Sequence, residues 1–311
     1  MNRLRIALLA GGWSREREVS LRSGQAVYEA LDKDKYHVVL YDPCTDLQAL
    51  FEARKQITLA LILLHGRFGE DGCIQGLLNI LGIPFVGSDV LSSAMALNKR
   101  VAKERYRSAG LNVAKDVVVR RAEGYSVEDI REMLGPATVV KPVAEGSSLG
   151  MSLCHTQEEL SAGIENAFQY DEELLVEEFI GGREVSTCVL GNRQLWTLPI
   201  VEIVPRAPYS FFDYEAKYTA GATEEICPAP ISPLLAETVR FCAEAAHKAL
   251  KCRVWSRTDM IIRDEIVYLL ETNTIPGMTE NSLFPLAARA AGLSLSELLD
   301  ILISLSLKAV D

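Results

Sequence analysis

LLETNTIPGMTENS, residues 269–282, is the stretch on which the reading of this chain turns. An apolar run over residues 266–270 ends abruptly in Glu271, Thr272 and Asn273, and a Pro-Gly turn follows at Pro276 and Gly277. Just upstream lies SRTDMII, residues 256–262. A three-residue turn over 264–266 sets Asp259 opposite Glu271 and Arg257 opposite Asn273. Side chains alternate along strands, so all four polar groups then share one face. Two carboxylates and an amide oxygen are hard ligands suited to Mg²⁺, which takes few protein groups alongside phosphate oxygens. An arginine beside them would stabilise developing negative charge. Spacing alone leaves the plainer alternative open: a hairpin with a solvated polar face.

Outward from this hairpin, residues 5–10, 36–41 and 59–64 read as strands, and 20–31 and 47–53 as helices. The run 59–64 is almost wholly apolar, as a strand covered on both faces must be. Strand–helix alternation of this kind implies a parallel α/β layer. HGRFGEDGCIQGLLNILGIPFVG, residues 65–87, reads as a glycine-punctuated loop, a helix and a short strand. Residues 92–109 read as one helix and 158–169 as another, with strands at 117–119, 138–141 and 174–179. Strands at 185–189 and 194–203, a helix at 232–250, the hairpin and an amphipathic helix at 295–307 complete the pattern. The polar and aromatic segment 205–230 is long for a structureless connection, which points to a lid.

The 311 residues exceed one ordinary core and fit two or three domains. A net charge of −10 disfavours nucleic acid and anionic membrane as partners, though not an anionic small ligand in a locally basic pocket. Seven cysteines without a C-x-x-C, and only four histidines, point to reduced thiols in the cytosol and away from zinc. All seven are expected to be packing residues. RIALLAGG, residues 5–12, is better read as a first strand than as a signal peptide. No apolar segment approaches the roughly 18–20 residues that span a membrane.

Three further motifs carry chemistry. In KPVAEGSSLG (141–150) a strand lysine precedes a Gly-Ser-Ser loop able to offer N–H groups and hydroxyls to phosphate, although no Walker A sequence exists and many such turns are only turns. LLVEEFIGGRE (174–184) is an apolar strand running into acids and glycines, a place for adenine and ribose or simply a strand end. In GGWSREREVSLRSG (11–24), G-x-G-x-x-G is missing. Glu16 and Glu18 fall near a helix start, where the dipole favours acids, so helix capping is the local reading.

Taken together, KPVAEGSSLG, HGRFGEDGCIQG, FFDYEAKY, the Arg257/Asp259 pair and LLETNTIPGMTENSLFP resemble the D-alanine–D-alanine ligases of the ATP-grasp superfamily, over about residues 5–300. The resemblance implies an α/β ATP-grasp fold of three α/β domains with a Rossmann-like N-terminal parallel sheet. These are an N-terminal pre-ATP-grasp unit (1–91), a central unit (92–184) and a C-terminal unit (185–311) with a lid at about 205–230. It implies ATP held between the sheets of the last two. The implied reaction joins two D-alanines through an acyl phosphate, for peptidoglycan precursors. By the same resemblance Lys99 and Lys141 contact the α/β-phosphates and Ser148 covers them. Glu177, Phe179 and Ile180 flank adenine, Glu184 takes the ribose hydroxyls and Lys217 reaches the γ-phosphate. Asp259, Glu271 and Asn273 hold two Mg²⁺, with Mn²⁺ as an alternative. Arg257 and the N–H of Gly277 form the oxyanion site. Glu16 takes the first ammonium in a set with Ser147 and Tyr218, His65 lies near the second substrate, and Ser282 with Leu283 binds its carboxylate. A cytoplasmic homodimer with only small-molecule partners is expected. Val254 and Ser256 depart from the family, which often has glycines there, and Trp13 and Arg15 are bulkier than usual beside Glu16. D-serine or D-lactate as second substrate, another ATP-grasp ligase and an inactive nucleotide-binding relative are the competing readings.

Overall fold

The structure, a computed structural model, describes residues 3–146, 149–206 and 222–308. Four expected site residues, Ser147, Ser148, Lys217 and Tyr218, lie outside the described residues. The chain opens with β1 (Leu4–Leu9), α1 (Arg17–Ala30), β2 (Tyr36–Tyr41), α2 (Pro43–Ala53), β3 (Leu59–Ile62) and α3 (Cys73–Leu81). The strands pair in parallel in the order β2-β1-β3. The short strand expected before Gly87 is reduced to one parallel bridge between Ala60 and Phe85. Ile6 and Leu8 pack with Val27 on one face, and Ala7 and Leu9 with Leu50 and Leu78 on the other, which is why β1 is apolar throughout. Helix α2 starts four residues before its expected position, because Asp42 caps it by accepting from Cys44 N (3.0 Å) and Pro43 fits the first turn.

The single helix expected over 92–109 is two, α4 (Val90–Leu97) and α5 (Lys99–Ser108). Asn98 breaks it with extended backbone (φ −77°, ψ 99°), and its side chain accepts from Val101 N at 3.0 Å to cap α5. The chain continues through β4 (Asn112–Val113), β5 (Asp116–Arg120), α6 (Val127–Leu134), β6 (Thr138–Pro142), β7 (Ser152–Cys154), α7 (Gln157–Ala167) and β8 (Glu173–Glu178). Strands β5-β8-β6-β7 form an antiparallel sheet. Val140, Leu174 and Val176 face α6 and α7 through Ile130 and Ile164. Alternation therefore turns Val139, Lys141 and Glu177 to the opposite side, where they line a cavity.

The last part comprises β9 (Arg183–Gly191), β10 (Leu195–Thr197), β11 (Val201–Pro205), β12 (Thr223–Ile226), α8 (Pro233–Ala249), β13 (Val254–Arg263), β14 (Ile266–Asn273), α9 (Leu283–Ala290) and α10 (Leu295–Leu307). The one strand expected over 194–203 is interrupted at 198–200, where Pro199 lacks an N–H, and both pieces pair with β9. The sheet order is β12-β11-β9-β13-β14-β4. Strand β12 falls inside the segment expected to be a structureless lid, because it completes the edge of β11. Helix Pro233–Ala249 covers one face through Val239, Ala243 and Ala246. On the other face Trp255, Phe284, Leu298 and Leu302 belong to the same core as Ile6, Leu8 and Val27, so the chain's last helices seal its first sheet.

The opening hairpin departs from expectation in an informative way. The turn has two residues, not three: Asp264 (φ 52°) and Glu265 (φ 62°) are both left-handed, a backbone that matches the strand twist. A bulge at Leu270 then restores the register, so Asp259 still faces Glu271 and Arg257 faces Asn273. The extra residue puts Leu270 and Glu271 on the same face, and both line the cavity. Val254 has φ 68°, so a β-branched residue holds a left-handed conformation that a glycine would take freely.

Among the described residues no single helix is long and apolar enough to cross a membrane. Cys154, Cys188, Cys242 and Cys252 are buried as expected, but Cys44 and Cys73 are exposed near helix starts and are not packing residues.

Candidate active site

Two cavities meet at the open end of the hairpin, away from its turn. The first lies between the four-stranded sheet and β13–β14 and combines apolar walls with a few convergent polar groups, as small-molecule sites do. Val139, Phe179, Ile180, Ile261 and Leu270 make its apolar walls, and Lys99, Lys141, Glu177, Glu184, Asp259 and Glu271 its polar ones. The second is lined by Glu16, His65, Glu70, Arg257, Asn273, Gly277, Ser282 and Leu283. Lys99, Glu145 and Glu271 line both. Groups held in the two cavities would therefore meet beside Glu271.

The charged boundary is tightly organised. Arg257 forks onto Asp259, with Nε–Oδ1 at 2.9 Å and a second nitrogen–Oδ2 contact at 2.7 Å. Burial alone would lower the guanidinium pKa, but Asp259 and Glu271 reverse the effect and raise it. Ser186 donates to Asp259 Oδ1 at 2.7 Å, and the Asn273 amide lies 3.3 Å from Oδ2. From behind, Tyr106 donates to Thr272 Oγ1 (2.7 Å), which lies 3.0 Å from Thr258 Oγ1, so hydroxyls fix the covered face of the hairpin. Lys99 donates to the Glu145 carbonyl (2.5 Å) and lies 3.9 Å from Glu271. Its position at the first residue of α5 follows from the Asn98 break.

Asp259, Glu271 and Asn273 offer two carboxylates and one amide oxygen on a single sheet face, a hard donor set that fits a divalent cation. Among the described residues no three Asp, Glu, His or Cys side chains cluster as a metal site; the two carboxylates stand beside the Asn273 amide on this face.

In the second cavity Glu16 is buried and stands at the N-cap of α1 without capping it, contrary to the local sequence reading. Its carboxylate is instead gripped between two backbones. A Cβ on Gly66 would lie 2.7 Å from Glu16 Oε2, and one on Gly146 would lie 2.6 Å from the same atom. Only glycine allows both approaches. Arg15 stacks over Tyr170 (4.8 Å), which itself packs against Gly150. His65 is buried, and burial together with Arg257 lowers its pKa to about 4, so the imidazole is neutral at neutral pH. Ser282 is the N-cap of helix Leu283–Ala290 with no side-chain capping bond, and its hydroxyl lies 2.8 Å from Thr279 Oγ1. Helix N–H groups and this hydroxyl form a corner whose chemistry suits a carboxylate. Gly277 sits against it: a Cβ there would approach Ser282 Oγ to 3.0 Å.

Every expected site residue among the described ones lies on the two cavities. Three important residues were missed. Glu70 lines the second cavity and accepts from Gly66 N (2.7 Å), and burial plus the Glu16 charge raise its pKa to about 8. Glu145, within KPVAEGSSLG, lines both cavities and its carbonyl accepts from Lys99; only its place between Lys141 and the loop signals this in the sequence. Lys103 is 1% exposed on α5 and pairs with both Asp116 and Glu177. Its partners are remote in sequence, so only a lysine on the apolar side of a helix hinted at it.

Family models described as D-ala D-ala ligase N-terminus and D-ala D-ala ligase C-terminus match residues 5–48 with 43–88, and 106–304. A D-alanine–D-alanine ligase of Syntrophobacter fumaroxidans is 51% identical over 306 residues, covering 98% of each chain. The crystal structure of the Bacillus anthracis D-alanine–D-alanine ligase complexed with ATP is similar at a TM-score of 0.86 and 35% identity, over 98% of each chain. The VanG D-Ala:D-Ser ligase of Enterococcus faecalis is similar at a TM-score of 0.84 and 34% identity, over 98% of this chain and all of that one (100%).

Proposed function

The chain belongs to the D-alanine–D-alanine ligase family, and from that membership we propose how its own residues perform the reaction. It is an ATP-dependent ligase that joins two D-alanines to D-alanyl-D-alanine through an acyl phosphate, for peptidoglycan precursor synthesis. One observation carries the assignment of roles: Arg257, Asp259, Glu271 and Asn273 share one face where the two cavities meet.

The adenine lies among Phe179, Ile180 and Leu270 with Glu177 at its edge, and Glu184 takes the ribose. Lys99, Lys141 and Ser148 hold the phosphates, with Lys217 joining from the lid. Asp259, Glu271 and Asn273 would hold two Mg²⁺, which when bound would neutralise triphosphate charge. Glu16, with Ser147 and Tyr218, orients the first D-alanine by its ammonium so that its carboxylate meets the γ-phosphate. Ser282 and the Leu283 amide fix the second D-alanine, beside a neutral His65. Its amine attacks the acyl phosphate, and Arg257 with the Gly277 N–H stabilises the oxyanion before phosphate leaves. Exclusion of water by the closing lid protects the acyl phosphate. The three units 1–91, 92–184 and 185–311, a homodimer and a cytoplasmic location complete the proposal, supported by kinship with the family.

The test is phosphate release from Mg-ATP with mass spectrometry of the product, given D-alanine alone, D-alanine with D-serine or D-lactate, and L-alanine. D-alanyl-D-alanine from D-alanine alone is expected. Mixed products in preference to it would move the second site to D-serine or D-lactate, a change the shared architecture with VanG accommodates. ATP binding without any ligation would remove the catalytic reading.

A further inference from the structure

Strands β5 and β8 place Asp116 directly opposite Glu177. Two carboxylates so placed repel unless a cation separates them. Lys103 fills that role. It is among the largest fully buried side chains, its Nζ lies 3.0 Å from Asp116 Oδ1, and it donates to Glu177 Oε1. Arg107 also pairs with Asp116. The other Glu177 oxygen accepts from Lys141 at 2.5 Å. Burial would raise the Glu177 pKa, but Lys141 and Lys103 together bring it down to about 2.

The two lysines are not equivalent. Lys141 lines the nucleotide cavity, whereas Lys103 does not. Lys141 is therefore open to the phosphates, and Lys103 is the partner that stays with Glu177. We infer that Lys103 is a positioning residue for nucleotide choice: fixed between Asp116 and Glu177, it holds the Glu177 carboxylate as a pure acceptor in the nucleotide cavity, so that the site favours a purine bearing an amino group over one bearing a carbonyl. This rests on the reading that the base of ATP lies beside Glu177. An ionised carboxylate only accepts, so it bonds an exocyclic amine and repels a carbonyl oxygen at the same position. Without Lys103, Glu177 faces Asp116 with no cation between them and keeps Lys141 as its one remaining cation. It then turns wholly to Lys141, away from the base, and the acceptor is lost.

The experiment compares kcat/KM for ATP and for ITP, which carries a carbonyl where adenine has its amine, at saturating D-alanine. The wild type, Lys103→Met, Lys103→Arg and Glu177→Gln are measured. A hydrogen bond to a charged group sets the expected scale, so the ATP-over-ITP preference falls about tenfold or more in Lys103→Met and is largely kept in Lys103→Arg. Equal losses for both nucleotides in Lys103→Met, leaving the ratio unchanged, would make Lys103 merely structural and overturn the inference. Glu177→Gln separates the underlying reading: an unchanged ratio there means that Glu177 does not face the base. A ratio that moves in Glu177→Gln but not in Lys103→Met sinks the Lys103 role alone. Lys103→Gln, which keeps a neutral donor, serves if the methionine variant does not fold, and an unchanged ratio in it refutes the inference equally.

Discussion

Replacing Gly146 with alanine isolates the grip on Glu16. The new Cβ would lie 2.6 Å from Glu16 Oε2, where ordinary contact begins near 3.4 Å, so the carboxylate has to retreat by about 0.8 Å. Gly146 does not have the positive φ that would add backbone strain, and the displaced atom is the end of a flexible side chain. The fold should therefore lose no more than about 0.5 kcal/mol, as for a substitution that touches no core contact. Catalysis should suffer far more. A misplacement near 1 Å in a group that orients a reactant costs up to about 10²-fold, so kcat/KM for D-alanine should fall about 10–100-fold, roughly 1.4–2.7 kcal/mol. The assay is steady-state phosphate release over a D-alanine titration at saturating Mg-ATP, with ATP affinity measured separately by calorimetry. Loss in the D-alanine parameters with ATP affinity kept is the expected pattern. Wild-type kcat/KM for D-alanine would refute the role of the Gly66–Glu16–Gly146 grip, and a loss confined to ATP binding would relocate the effect to the loop that follows Lys141.

Glu70 gives a pH signature. Its pKa is raised from 4.5 to about 8, so the folded protein keeps a proton that the unfolded chain releases. Its contribution to stability is complete below about pH 4.5 and is lost as pH rises through about 8. Urea titrations from pH 5 to 8.5 should show this decline in the wild type and a flatter profile in Glu70→Gln; identical profiles would mean that Glu70 titrates normally. Asn98→Ala should cost about 1 kcal/mol of stability through loss of the α5 cap and also raise the KM for ATP, because the same break sets Lys99 at the cavity. An unchanged KM would detach Lys99 from the phosphates.

How far the sequence reached is clearest at the hairpin. The alternation of Arg257 with Asp259 and of Glu271 with Asn273 was enough to place four polar groups on one face, because a strand's side-chain period is a local property of the backbone. The apolar β1 and β3 and the capped helix Leu295–Leu307 were legible for the same reason: each announces its burial within a few residues. What the local pattern could not carry was anything decided by a partner remote in the chain. The Leu270 bulge depends on how β14 meets β13, so a turn one residue too long still gave the right pairing of Asp259 with Glu271 and of Arg257 with Asn273. The break at Asn98, read as mid-helix, serves to aim Lys99 at a loop some 46 residues away. Glu16 looked like a capping acid because Gly66 and Gly146, which grip it, are close only in three dimensions. Lys103 looked like one more helical lysine until Asp116 and Glu177 were brought to either side of its ammonium. Sequence determined which groups were present and which face of each element they share; tertiary structure alone decided which charges meet, because burial and pairing depend on contacts between segments that no local period encodes.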